Sequence, residues 1–294
     1  MDETLYNRVL AALEAVHGLH TNSEARYSAG QMLEGFKDRG DGMPYALYIL
    51  QTPSPRHTDE VRHFALHLLE NVLRVRWIPV NDAPHPLEKG QQQQQQQHQP
   101  HHPPVSEAGK PPQLTLEEKQ QLKEAMVQVM ARGTRDIANE ANFIKIKVAD
   151  LVAQLAERDY PNRWENFLDQ MMQAWATGPT QAELAMMVLG RLIEDCYDVD
   201  FRSQMDFSRR DPILRGLHDF LPIFIPALYN FLVQQWTGYQ DIASSAGNGT
   251  GTGARTGNGA TEVVLITQAL DLLSKVLPWL GEKNMSAEAH DFLP

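Results

Sequence analysis

The chain has 294 residues, 42% hydrophobic and 21% charged, enough for one or two packed domains. Its 26 basic and 37 acidic residues leave a net charge of −11, which argues against a surface given over to phosphate binding and favours a basic protein partner. A single cysteine, Cys196, excludes an internal disulfide and suits a reducing compartment. The opening MDETLYNRVLAALEAV has no basic n-region, and no apolar run is expected to span a bilayer. The expectation is an intracellular chain with no membrane partner.

Apolar residues at helical spacing begin at once. Leu5, Val9, Leu10, Leu13 and Val16 predict an amphipathic helix ending near Gly18. Thr21 with Glu24 reads as a capping box opening a second helix, which carries Leu33 and Phe36 and breaks at Gly40-Asp41-Gly42. A short third helix starts around Pro44. After the loop QTPSPRHTDE, VRHFALHLLENVLRVRW predicts a long fourth helix over 61–77.

Between about Asn81 and Gln113 the composition turns to glutamine, histidine and proline, as a disordered insertion does. Thr115 and Glu118 form a second capping box. The stretch FIKIKVADLVAQLAERDYPNRWENFLDQM then writes one helix through Leu155, a stop at Tyr160-Pro161, and a second helix capped by Asn162 with Glu165. Thr180 with Glu183 reads as a third capping box, for a helix reaching Tyr197. Asp211-Pro212 opens another, with a kink or break expected near Leu221 because Pro222 and Pro226 interrupt the run. Ser244–Ala260 reads as a flexible Gly-rich insertion before a last apolar helix from Val263 to Leu280.

These elements pair at 3–40, 43–80, 114–158 and 162–198, with a fifth pair split by the Gly-rich segment. Two helices per repeat, a period near 40 residues and no strand pattern predict an all-α, HEAT-type helical-repeat solenoid. The corresponding divisions are 1–80, an insertion at 81–113, 114–239, an insertion at 240–261, and 262–294.

Two segments carry a resemblance. VRHFALHLLENVLRVRW resembles the end of the importin-β N-terminal domain, in the form seen in the exportin-5 branch. IKIKVADLVAQLAERDYPNRWENF with QAELAMMVLGRLIEDC is similar to the exportin domain that follows it, through Lys147, Leu151, Tyr160, Pro161, Trp164 and Phe167. The chain is thus identified as a member of the importin-β superfamily of nuclear transport receptors. Full-length receptors stack roughly twenty repeats, so a chain with about five reads as an N-terminal fragment.

The resemblance implies binding of Ran in its GTP form, export of structured small RNA such as microRNA precursors or transfer RNA, or of protein, contact with nucleoporins, and shuttling between nucleus and cytoplasm. It also implies that Ran meets the second helix of each pair, here roughly 24–38, 59–77, 136–157 and 181–197. The candidate contacts are therefore Arg62, His63, Glu70 and Arg74 on one helix and Glu183, Arg191, Glu194 and Asp195 on another. An importin-type receptor for protein cargo and a helical scaffold without transport role are the alternatives.

Other patterns carry less. His63 and His67 stand four apart but lack the glutamate of a zinc-protease motif, and GNGTGTGARTGNG follows no strand, so neither metal nor phosphate is expected. Trp77, Trp164, Trp175 and Trp236 read as core between repeats, and Cys196 as a buried thiol. No nucleophile, base and oxyanion donor assemble into a catalytic set, and no cofactor is expected.

Overall fold

A computed structural model describes residues 1–18, 21–39, 41–77, 112–197, 207–246 and 258–280. The two expected insertions lie largely outside these residues. Among the described residues every regular element is helical: α1 Glu3–His17, α2 Ser23–Lys37, α3 Gly42–Gln51, α4 Asp59–Arg76, α5 Leu116–Arg132, α6 Asn142–Asp159, α7 Phe167–Thr177, α8 Pro179–Tyr197, α9 Phe207–Ala246 and α10 Asn258–Val276, followed by a 3₁₀ turn at Leu277–Leu280. The fold is all-α and built of HEAT-type helix pairs. The chain divides into two compact units, Met1–Ala46 with His67–Gln121, and Leu47–Leu66 with Leu122–Pro294.

In the first unit α1 packs on α2. Asp2 caps α1 by accepting from the Thr4 and Leu5 amides, and Val9, Leu10 and Leu13 are buried. The cap of α2 is Asn22, whose side chain accepts from the Ala25 amide at 2.7 Å. The expected box at Thr21 does not form, because the amide side chain one residue later reaches the orphan N–H first. Phe36 meets Tyr45 edge-on at 5.4 Å, and Asn71 donates to the Lys37 carbonyl at the end of α2.

The expected box at Thr115 does form. Its amide donates to Glu118 at 2.8 Å and its hydroxyl accepts from the Glu118 amide at 3.1 Å. Glu118 also pairs with Arg76, whose Nε donates to the Pro112 carbonyl, while Leu114 N–H donates to the Arg76 carbonyl and Lys119 lies over the Trp77 ring. The described ends on either side of residues 78–111 are therefore tied together.

In the second unit α6 packs on α8, α7 on α8, α8 on α10 and α9 on α10. Ile144, Val148, Leu151, Val152 and Leu155 of α6 are buried, as are Val188, Leu192 and Cys196 of α8 and Leu265, Ala269, Leu272 and Val276 of α10. α6 ends where Pro161 prevents its continuation. Residues 160–166 turn before α7 begins at Phe167, so the position before that helix is Asn166 and not Asn162, and Trp164 belongs to the turn. That turn is held from three sides. Tyr160 and Trp164 pack on Phe167, Lys123 binds Asp159 at 2.8 Å and the Arg163 carbonyl at 3.0 Å, and Arg209 donates to the Glu157 and Tyr160 carbonyls. Gly216 lets α9 close on Tyr160, whose ring a Cβ there would strike.

Further expectations are corrected. α8 starts at Pro179, directly after Gly178, so Thr180 lies inside the first turn and Glu183 is drawn away to Lys145. α9 runs as one helix from Phe207 through Pro212, Pro222 and Pro226 to Ala246, past the expected cap at Asp211 and without a break near Leu221, where a kink or a break was expected. Each proline removes one backbone donor; burial of Ile213, Leu217, Leu221, Phe224 and Leu228 along one side keeps the helix whole. α9 also passes residue 240, and α10 begins at Asn258, so helix enters both ends of the insertion expected at 240–261.

Arg209–Ser244 is long and apolar enough, by length and composition, to cross a membrane, contrary to the expectation from sequence. Its opposite side exposes Ile223, Tyr229, Val233 and Trp236. Trp236 is thus not core, whereas Trp77, Trp164 and Trp175 are, the last against Phe224 and Phe231.

Candidate functional site

Within the second unit the second helices α6, α8 and α10 lie side by side, and residues at their solvent-facing edges join each to the next. His63 of α4 meets the Phe143 ring of α6 edge-on at 4.9 Å. Asp150 of α6 faces Arg191 of α8 at 3.6 Å, and Glu194 of α8 pairs with Lys275 of α10 at 3.2 Å. Each helix thus presents a helical stripe spaced by three or four residues, Phe143, Ile146 and Asp150 on α6 and Met187, Arg191 and Glu194 on α8.

The eight sequence-predicted residues separate on this geometry. Arg191 and Glu194 are exposed, and Asp195 lies beneath Arg191, bonded to it at 2.8 Å. His63 is partly exposed beside Phe143. Arg62 is turned inward: its guanidinium holds both oxygens of buried Glu140, at 2.6 and 3.2 Å, which also accepts from the Arg135 amide. Burial would raise the Glu140 carboxyl, but those bonds and the two guanidinium charges hold it below its ordinary value.

Glu183 is corrected outright. It is buried, with Lys145 Nζ at 2.9 Å, and Lys145 in turn donates to the Ile137 carbonyl at 2.6 Å. Burial raises the Glu183 carboxyl despite Lys145, and the side chain belongs to the contact between α6 and α8. Glu70 and Arg74 lie in the first unit, where Glu70 pairs with His67 at 3.1 Å and Arg74 is exposed and donates to Asn71.

Sequence reasoning missed Phe143 and Ile146, exposed by 45% and 43%. The signal was present: both fall out of phase with the Ile144, Val148, Leu151 and Leu155 stripe that builds the core. It also missed Glu157, on the same edge of α6. Burial and the neighbouring Asp195 carboxylate push this carboxyl up to about 8.

This face carries paired charges, an exposed aromatic ring and an exposed aliphatic side chain on packed helices, side-chain types that protein interfaces use. Among the described residues no group of three or more histidine, cysteine or acidic side chains could hold a metal ion.

Comparison with known proteins places these elements. The family model described as importin-beta N-terminal domain matches residues 29–132, and that described as exportin 1-like protein matches residues 141–288. Exportin-5 of Dictyostelium discoideum is 25% identical over 236 residues, covering 80% of this chain and 17% of its own length. Human exportin-5 is 26% identical over 228 residues, 78% of this chain and 15% of its own, and Protein HASTY 1 of Arabidopsis thaliana is 27% identical over 228 residues, 77% and 16%. The chain spans about a sixth of the length of these relatives. It belongs to the exportins of the importin-β superfamily, and what it resembles is the N-terminal region of exportin-5.

Proposed function

We propose that this chain binds Ran in its GTP form through the exposed edges of its second helices, as part of a receptor that carries cargo out of the nucleus. The observation that supports this reading is the ladder from His63 and Phe143 through Asp150, Arg191 and Glu194 to Lys275, which gives one continuous recognition face within a single unit. His63, Arg191, Glu194 and Asp195 remain contacts in this proposal, and Glu70 and Arg74 remain candidate contacts of the first unit by itself. Arg62 acts by holding Glu140, and Glu183 is withdrawn. The net charge of −11 suits a basic protein surface better than a polyanion, so Ran is assigned to this face and RNA is not.

By its likeness to exportin-5 the cargo is structured small RNA, such as microRNA precursors or transfer RNA, or protein, with passage through the pore aided by nucleoporins. The work is binding and not catalysis. If cargo and the GTP form of Ran favour one receptor conformation, each raises the affinity for the other by the same factor. The blocks expected at 1–80, 114–239 and 262–294 enter this reading with the last boundary redrawn, since α9 runs to Ala246 and α10 starts at Asn258.

The test is binding of the chain to Ran loaded with a non-hydrolysable GTP analogue or with GDP, each with and without a hairpin RNA. Preference for the GTP form supports a transport receptor, and enhancement by RNA supports the export direction. Competition between cargo and the GTP form identifies an importin-type receptor instead. Equal or absent binding by the folded chain leaves a helical scaffold and refutes the proposal.

A further inference from the structure

The loop between α3 and α4 reads Thr52-Pro53-Ser54-Pro55-Arg56-His57-Thr58. It borders an open cleft of about 800 Å³ whose lining includes Thr52, Ser54, Asp59, Arg62, Arg132 and Arg135, all in the second unit. We propose that Ser54 is a phosphorylation site for a proline-directed serine/threonine kinase, and that Arg132 and Arg135 are the receptor for its phosphate.

The acceptor is chosen by the backbone. Thr52 is anchored, its amide donating to the Tyr48 carbonyl at 2.9 Å and its carbonyl held by the ring of buried His57 at 2.7 Å. Ser54 follows between two exposed prolines, partly exposed itself, with exposed Arg56 two positions on. Pro55 supplies no N–H and biases Ser54 away from helical geometry, so the acceptor is offered in the extended form that kinases selecting Ser-Pro read. The Ser54 hydroxyl accepts from the Arg56 amide at 3.2 Å, a contact within its own loop.

The reaction is ordinary phosphoryl transfer. Ser54 Oγ attacks the γ-phosphorus of Mg²⁺-ATP, the bond from that phosphorus to the β–γ bridging oxygen breaks, ADP leaves, and the hydroxyl proton passes to the kinase base. The product carries nearly two negative charges and three acceptor oxygens.

The cleft is suited to hold it. Arg132 and Arg135 are both exposed, and their present partners are weaker than a phosphate: Arg132 donates to the Gln51 carbonyl, and Arg135 to the His57 carbonyl at 2.9 Å and the Asp59 carboxylate at 3.2 Å. Arg62 is committed to Glu140 and takes no part. A phosphate dianion outcompetes the single charge of Asp59 for Arg135, and guanidinium geometry matches phosphate oxygens in pairs. The modified loop is then pinned to the end of α5 and to the turn leading to α6, so phosphorylation fixes the α3–α4 loop on the neighbouring helix pair.

The full chain, incubated with a recombinant proline-directed kinase and Mg²⁺-ATP, is expected to gain phosphate at Ser54, localised by fragment mass spectrometry and abolished in Ser54→Ala. Phosphorus NMR of the product then reads the receptor directly. The second phosphate pKa is expected about one unit lower than in a phosphorylated peptide of residues 48–60, and Arg132→Gln with Arg135→Gln returns it to the peptide value. The comparison of unmodified-sequence chain with peptide does not depend on any variant folding. Phosphate at Thr52 and not Ser54, no incorporation, or a titration equal to that of the peptide each overturn the proposal.

Discussion

Glu183→Ala separates a structural role from a partner-binding one most sharply. Lys145 and Glu183 side chains are only 6% and 5% exposed, and the substitution leaves the Lys145 ammonium with the Ile137 carbonyl as its named partner. Removing one member of a buried pair costs about 3–5 kcal/mol, because the survivor keeps its desolvation penalty and loses its counter-charge. For a chain of this size that corresponds to a fall of roughly 6–20 °C in melting temperature. Burial raises the Glu183 carboxyl despite Lys145, so the pairing does not fully offset the desolvation of that carboxylate. Replacing both partners, Lys145→Met with Glu183→Leu, should therefore restore most of the loss or exceed the parent. The assay is thermal denaturation followed by circular dichroism, with urea unfolding as a check. A single variant within about 1 kcal/mol of the parent, or a double variant no better than the single one, would refute the argument.

Three other outcomes follow from the same geometry. Glu157 has a folded-state pKa of about 8 against an ordinary 4.5, so its contribution to stability is complete below 4.5 and is lost as the pH rises toward 8; Glu157→Gln should flatten urea midpoints between pH 5 and 8.5 and exceed the parent at the upper end. Gly133 closes α5 at φ 69°, and a Cβ there would collide with Thr180 and lie 2.9 Å from Gln181, so Gly133→Ala should cost more than the roughly 1–2 kcal/mol of the left-handed backbone alone, read as a urea-midpoint shift. Thr115→Ala removes one half of the capping box that opens α5 and should cost about 1 kcal/mol in the same measurement.

Periodicity made the helices legible because a core-facing stripe is written every three or four residues; α1, α4, α6 and α8 fall where Leu13, Leu68, Val148 and Val188 put them. Caps were legible only where nothing competed. Thr115 caps as its motif says, whereas Thr21 loses to Asn22 and Thr180 to a helix already begun at Pro179. Buried charge was not legible at all. Lys123 finds Asp159, and Lys145 finds Glu183, across 36 and 38 residues, distances over which local pattern carries no information. The same blindness placed Glu183 on a surface. Conversely, Phe143 and Ile146 could have been found from their phase, and Trp236 shows that a tryptophan on an apolar helix is not thereby in the core.

The central claim is that the exposed edges of the second helices are the partner face, and it is tested by the affinity of the chain for Ran carrying a non-hydrolysable GTP analogue after Phe143→Ala and, separately, Glu194→Lys. Both side chains are exposed, so melting temperatures should stay within a few degrees of the parent. Each variant is predicted to weaken binding about tenfold, the loss of one interface contact worth roughly 1.4 kcal/mol. Unchanged affinity in both, with the parent still selective for the GTP form, would contradict the assignment of this face.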